Sequence, residues 1–243
     1  MSVDPSLSQA WARAGREWAA MREEGRGGPK GLREEEALSV VAYTSEFPPP
    51  PSGPIYLRLN RASRLCLGAG PSRQASEACG RLRALGLLLS SALRSLRRAG
   101  EGPGVSQVVY RGARGIFWAS TGRRVEFGSF TSASGLLEVA EAFAGAQGGA
   151  GTVFHIRTAL GASVEGLSPF PGEKEVLIPP CEAFRVDKAR RSRVMGRERV
   201  DLYLTSLGSG VGSNARGSGQ RGGGQGGKYL NPLIVLMWVS VWN

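Results

Sequence analysis

Histidine is almost missing from this sequence: His155 is the single one among 243 residues, and cysteine occurs only as Cys66, Cys79 and Cys181. One histidine cannot build a multi-histidine metal centre, and the cysteines form no CxxC pair, so no structural zinc is expected. Their odd number allows one disulfide without choosing its pair. A Ser-His-Asp triad would have to recruit His155, and no GxSxG elbow accompanies it. His155 lies within the apolar run Val153-Phe154-His155-Ile156 and reads as a strand residue. No apolar run reaches the ~20 residues of a membrane-spanning helix. Met1 to Glu24 lacks a cationic segment followed by an apolar stretch, so it does not read as a signal peptide. The basic clusters Arg97-Arg98, Arg123-Arg124 and Lys188 to Arg193 are not interleaved with aromatics, which argues against a single-strand nucleic-acid surface.

What the chain does have is an ordinary globular balance, 41% hydrophobic and 21% charged, with a net charge of +11 carried mainly by arginine. Such a charge favours acidic or phosphate-bearing partners. Leu7, Trp11, Ala14, Trp18 and Met21 recur at helical spacing, so the N-terminus reads as an amphipathic helix broken at Gly25 to Gly31. A short second helix runs towards Val40 to Thr44, followed by the proline run Pro48 to Pro51. Glu77 to Arg98 forms the strongest helix, with Leu82, Leu85, Leu88, Leu89, Leu93 and Leu96 on one face. The period then changes to two, and Val108–Arg111, Arg123–Phe127, Ser129–Ser132, Val153–Thr158, Glu173–Ile178, Ala183–Val186 and Val200–Thr205 read as strands. Leu136 to Ala146 is a short helix between them, with Ser134 as its N-cap. Helices first and strands later indicate an α+β domain over residues 1–207. Residues 208–229 form a Gly/Ser-rich linker too polar to fold alone. Residues 230–243 form a short apolar tail that suits a GPI-attachment signal, with a frayed C-terminus as the alternative.

Three motifs could carry chemistry. Tyr110-Arg111-Gly112 ends an apolar strand, where a forked guanidinium can hold a phosphate and a glycine admits close approach to the backbone. Phe127 to Ser134 places hydroxyls on a strand that enters a helix, where they can orient a ligand or a carboxylate. Phe170 to Pro180 contains Glu173-Lys174-Glu175. Strand alternation would put both glutamates on one face with Lys174 on the other, a repulsive pairing unless a cation or substrate uses it.

Arginine on one strand, then a serine-bearing strand, then Glu-x-Glu, in that order, resembles the arginine-specific mono-ADP-ribosyltransferases of vertebrates. The likeness runs over nearly all of residues 6 to 207, including the Trp11/Trp18 helix, an Ala42-Tyr43-Thr44 strand and the Leu202 to Leu207 end. It implies a helical N-terminal part packed against two sheets that enclose an NAD cleft. Carried over, Arg111 would clamp the NAD diphosphate and the Gly112 backbone would bind the nicotinamide amide. Phe143 would neighbour the nicotinamide, and Ser132 would orient the catalytic glutamate. Glu175 would be that catalytic carboxylate, and Glu173 would engage the incoming guanidinium. The resemblance further implies NAD as co-substrate, no metal, no nucleic acid, proteins with exposed arginines as acceptors, and an extracellular or cell-surface setting with membrane attachment through the tail. Lys174 stands where relatives often carry a third glutamate. Two other activities fit the same scaffold: an NAD glycohydrolase with water as acceptor, and a catalytically dead NAD-binding protein.

Overall fold

The computed structural model describes residues 5–49, 53–68, 73–100, 106–145 and 148–209. The Gly/Ser-rich linker from residue 210 and the apolar tail lie outside the described residues, as do the side chains of Cys66 and Cys79; Cys181 is a free thiol.

Helices form the first half. α1 (Pro5–Glu23) buries Ala10, Ala14 and Met21, with Leu7, Trp11 and Trp18 packed at the margin of the same core. This is the stripe its sequence spacing expects. α2 (Glu34–Thr44) is buried from Glu36 to its end, so Ala42-Tyr43-Thr44 is helical and not the strand expected from the family likeness. A fully buried helix has no polar face, and a short apolar run of that kind carries no period that separates helix from strand. The buried Glu36 carboxylate is held by Arg33 and by the Ser91 hydroxyl, which pull its pKa down to about 2. α3 (Ile55–Gly68) has no counterpart in the sequence reading. Its apolar residues Ile55, Leu59 and Ala62 do keep helical spacing, but Arg58, Asn60, Arg61 and Arg64 crowd between them. α4 (Arg73–Ala99) begins four residues before Glu77 and buries Leu82, Leu85, Leu89, Leu93 and Leu96.

Eight strands follow: β1 (Gln107–Arg114), β2 (Arg124–Glu126), β3 (Thr131–Ser134), β4 (Gly151–Thr158), β5 (Ala162–Ser163), β6 (Glu175–Ile178), β7 (Glu182–Val194) and β8 (Arg197–Ser209). They form one hydrogen-bonded array in the order β2-β7-β8-β4-β1-β3-β6-β5, antiparallel except for β4 beside β8. The expected division into two sheets survives as a weak seam. β1 pairs with β4 along its whole length but with β3 only at Tyr110↔Ser134. Across that seam Val109 of β1, Phe154 and Ile156 of β4, and Leu202 of β8 share a core with Ala133 of β3 and Val176 and Ile178 of β6. The array therefore folds back on itself, and two parts of one sheet face each other.

Helix α5 (Leu137–Gly145) lies against β1, with Ala140 and Ala144 packed on Val153 of β4. Contact is close because Gly112 has no side chain: a Cβ there would stand 1.9 Å from the Ala140 carbonyl oxygen. The Ser134 hydroxyl accepts from the Leu136 amide at 2.9 Å, one residue short of the helix, so it shapes the turn into α5 without acting as the expected N-cap.

Candidate active site

The seam between β1 and β3 is where the singled-out residues meet. Arg111 points towards β3, is 8% exposed, and donates through Nη1 to the Ser132 carbonyl oxygen at 2.6 Å. The Ser132 hydroxyl donates to Glu175 Oε1, also at 2.6 Å. Register explains the second contact: Ser132 faces Leu177 and Ser134 faces Glu175 across the β3–β6 ladder, so hydroxyls and carboxylate share one side of the sheet.

Glu175, at 5% exposure, also accepts from the Ser168 hydroxyl at Oε2, 3.2 Å. Both oxygens of one buried carboxylate are thus held by serines on opposite sides. The Ser168 oxygen itself accepts from the Phe170 amide at 3.2 Å, which leaves its proton for the carboxylate. Arg26, from the glycine-rich turn after α1, donates to the Ser168 carbonyl oxygen at 3.2 Å. Sequence reasoning missed Ser168. A serine in a loop of small residues has no periodic signal, and only the fold brings it to Glu175.

Glu173 departs from the expected geometry. It closes a short 3-10 turn, Pro171–Glu173, and Lys174 then takes a left-handed conformation with φ 46° and ψ 52°. The strand begins only at Glu175, so strand alternation does not place the two glutamates. The turn is fixed from the β3 side instead. The Ser134 hydroxyl donates to the Glu173 carbonyl oxygen at 2.5 Å, and the Gly135 amide donates to that of Lys174 at 3.0 Å. A proline-glycine pair ahead of Glu173 favours a turn over a strand, and this signal was readable.

The ionisation of these groups follows from burial. Desolvation lifts the Glu175 carboxyl to about 7; the serine bonds and the Arg111 charge oppose it, and Glu173 adds to it. Glu173, half-buried, is pushed up as well, first by burial and then by the nearby Glu46. Arg111 is pulled down by burial, against the attraction of Tyr43 and Glu175.

Around Tyr43 lies a set of polar atoms with nothing to bond. The Tyr43 hydroxyl donates to the Phe130 carbonyl oxygen at 3.0 Å and accepts from Asn60 Nδ2 at 2.9 Å. Its ring meets those of Tyr56 and Phe130 edge-on. Within this neighbourhood Tyr56 Oη, Asn60 Oδ1, Arg64 Nη1, Arg111 Nε and the Ser129 hydroxyl are buried without a partner among the described residues. Buried polar groups are normally satisfied, so such a concentration is a candidate ligand site. Two cations and three neutral hydrogen-bonding groups suit an anionic ligand rich in oxygen, such as a dinucleotide. Tyr56, Asn60 and Arg64 sit on α3, the helix that the sequence reading lacked. Gly112 and Phe143 belong to the contact between β1 and α5. The missing side chain of Gly112 faces α5, and the half-buried Phe143 lies one turn beyond Ala140 on that helix. Among the described residues there is no group of three or more His, Cys, Asp or Glu arranged to hold a metal.

A sequence model of NAD:arginine ADP-ribosyltransferases matches residues 1–209. The chain belongs to this family. It is 40% identical over 202 residues to the erythroblast NAD(P)(+)--arginine ADP-ribosyltransferase of Gallus gallus, covering 82% of this chain and 61% of that one. Over 182 residues it is 36% identical to the human GPI-linked NAD(P)(+)--arginine ADP-ribosyltransferase 1, covering 74% and 50%. The chain therefore spans only half to three-fifths of these relatives' length. Among solved structures, a mutant of the eukaryotic mono-ADP-ribosyltransferase ART2.2 in complex with NAD superposes with a TM-score of 0.61 at 27% identity, over 88% of this chain and 84% of that one. The α+β ADP-ribosyltransferase fold expected from the motifs is the fold found.

Proposed function

We propose that this chain transfers ADP-ribose from NAD to arginine side chains of proteins, releasing nicotinamide. The observation that carries the reading is the buried chain Arg111–Ser132–Glu175, with Glu173 beside it and unpartnered polar atoms around it. Arg111, with a free Nε, would hold the NAD diphosphate, assisted by Arg64 and Asn60 of α3. The Gly112 backbone and Phe143 would receive the nicotinamide.

Breaking the nicotinamide–ribose bond leaves an oxocarbenium-like cation. An ionised Glu175 stabilises that cation, and its two serine donors fix where the negative charge lies. Burial lifts Glu175 to about 7, so about half of it is ionised at pH 7, and a cationic ribose replaces the missing solvation of the ionised form only as the bond breaks. The acceptor guanidinium is protonated in water and becomes nucleophilic only by yielding a proton. Glu173, already raised above the ordinary carboxylate range, can orient it and take that proton as the new N–glycosidic bond forms. The relatives are described as GPI-linked or ecto-enzymes, which supports a cell-surface setting and acceptors exposed there.

The test is nicotinamide release from NAD by the purified chain, with and without agmatine as an arginine analogue. Release that rises with agmatine, with ADP-ribosyl-agmatine formed, supports the transferase. Release indifferent to agmatine makes the chain a glycohydrolase, and NAD binding without release makes it a binding protein.

A further inference from the structure

The hairpin of β7 and β8 reaches past the rest of the sheet. β4 starts at Gly151, opposite Arg199, and β2 covers β7 only from Ala183 to Arg185. The last pairs, Arg193↔Glu198 and Val194↔Arg197, and the turn between them therefore extend roughly 10 Å beyond the flanking strands, with the Arg197 guanidinium lying over Gly148. At its tip Met195 is 94% exposed and Val194 45%. Both turn residues, Met195 with φ 49° and Gly196 with φ 78°, are left-handed, as in a type I′ hairpin turn. That turn favours asparagine, aspartate or glycine in its first place, and methionine there gains no internal packing.

Half of the large apolar side chains exposed among the described residues lie at this end. Of the six large hydrophobic residues exposed among the described ones, Val194 and Met195 form the tip, and Trp118 lies under the Arg191 guanidinium, whose Cζ is 4.8 Å from the ring centroid. Lys188 to Arg199 contains six cations and one carboxylate, Glu198. Arg199 is taken up by Asp201 and Glu141, and Arg191 stands 3.8 Å from Glu198. Arg190, Arg193 and Arg197 are exposed and make no ion pair among the described residues.

We infer that this hairpin tip docks on an anionic lipid surface, with Met195 and Val194 entering the headgroup boundary and Arg190, Arg193 and Arg197 resting on the phosphates. A projecting apolar tip with a cationic collar matches the two forces that hold peripheral proteins on bilayers: apolar insertion of 5–10 Å depth, and attraction of each basic residue to anionic headgroups. A nucleic acid would use the arginines but not the methionine, and the two aromatic rings nearest the basic stretch, Trp118 and Tyr203, already carry Arg191 and Lys188, so the described residues offer no open base-stacking face.

The full chain is exposed to dilute peroxide alone, with phosphatidylcholine vesicles, and with vesicles containing phosphatidylserine, and oxidation of Met195 is followed by peptide mass spectrometry. Expected is protection of about fivefold or more with the anionic vesicles and none with the neutral ones. Met195→Asn suits the left-handed turn better and keeps the hairpin; it should weaken partitioning into anionic vesicles by about fivefold. Arg190→Glu with Arg193→Glu should weaken it by roughly a hundredfold. Unchanged Met195 oxidation on vesicles that bind the chain overturns the inference, because another segment then holds it there. So does binding to polyuridylate, lost with the arginines but indifferent to Met195→Asn, if anionic vesicles do not bind.

Discussion

Two glutamates separated by one residue live in different physical worlds here. Glu175 opens a strand, is buried, and has a serine on each oxygen; Glu173 ends a turn, is half-buried, and has no described side-chain partner on its carboxylate. The strand gives its carboxylate a fixed place and a raised pKa. The turn leaves the other carboxylate free to meet something that arrives. One residue, Lys174 in a left-handed conformation, separates the two regions. The contrast teaches that a Glu-x-Glu motif can serve two roles when the backbone changes state between its acids.

Glu175→Gln is the largest break of that contrast. Turnover should fall by at least roughly a thousandfold, since an uncharged amide cannot answer a developing cation. The same change should stabilise the protein. The folded pKa of Glu175, about 7, lies above the ordinary 4.5, so the native state holds this proton more tightly than the unfolded chain does. The stability that comes from that proton is complete below pH 4.5 and is lost as the pH rises through 7. Glutamine suffers no such loss. The variant should match the wild type near pH 4.5 and exceed it at pH 8 by on the order of 3 kcal/mol, read by thermal unfolding. Equal stability at both pH values would mean that Glu175 is ionised without cost.

Glu173→Gln should separate the two regions functionally. Transfer to agmatine is expected to fall roughly a hundredfold, while hydrolysis of NAD stays within about tenfold of wild type. Equal loss of both would place Glu173 on the donor side with Glu175 and end the division of roles.

Ser168→Ala sharpens the strand side alone. Its hydroxyl bond favours the ionised carboxylate, so its loss should cut kcat/KM about tenfold and shift the acidic limb of the kcat/KM profile to higher pH. A lower rate with an unmoved limb would assign Ser168 to holding its loop and not to Glu175.

The legible part of the molecule was the periodic part. The stripe of α1 and the leucine face of α4 could be read because one face of each meets the core and the other does not, and β4, buried on both faces, could be read as a short apolar run. α2 was half-read, since a helix buried all round loses its period. α3 was unread because its polar residues, Asn60 and Arg64, turn inward instead of outward to water. Arg111, Ser132 and Glu175 could be named from motif order, and the fold brings them within hydrogen-bonding distance. Ser168, seven residues before Glu175, comes to that carboxylate from a loop, and no local pattern announces the meeting. Glu173 was placed by the wrong rule. Alternation was extended two residues into a turn that Pro171 and Gly172 had already begun.

Lys174 offers the finest test of the comparison. Left-handed backbone costs a non-glycine residue of order 1 kcal/mol, and a β-branched side chain suffers most there. The turn persists because Ser134 and Gly135 hold the Glu173 and Lys174 carbonyls from outside. Lys174→Val should therefore lower Tm by roughly 2–6 °C, and Lys174→Asn, which tolerates the conformation, should leave it within about 2 °C. The kinetic outcome follows from where the strain can go. Glu175 is clamped by two serines, whereas the Glu173 side chain is free, so relaxation moves the turn before it moves the strand. Transfer to agmatine should drop a few-fold in Lys174→Val with NAD hydrolysis nearly unchanged. If hydrolysis falls as much as transfer, the left-handed residue does not insulate the strand from the turn, and the two carboxylates act as one unit.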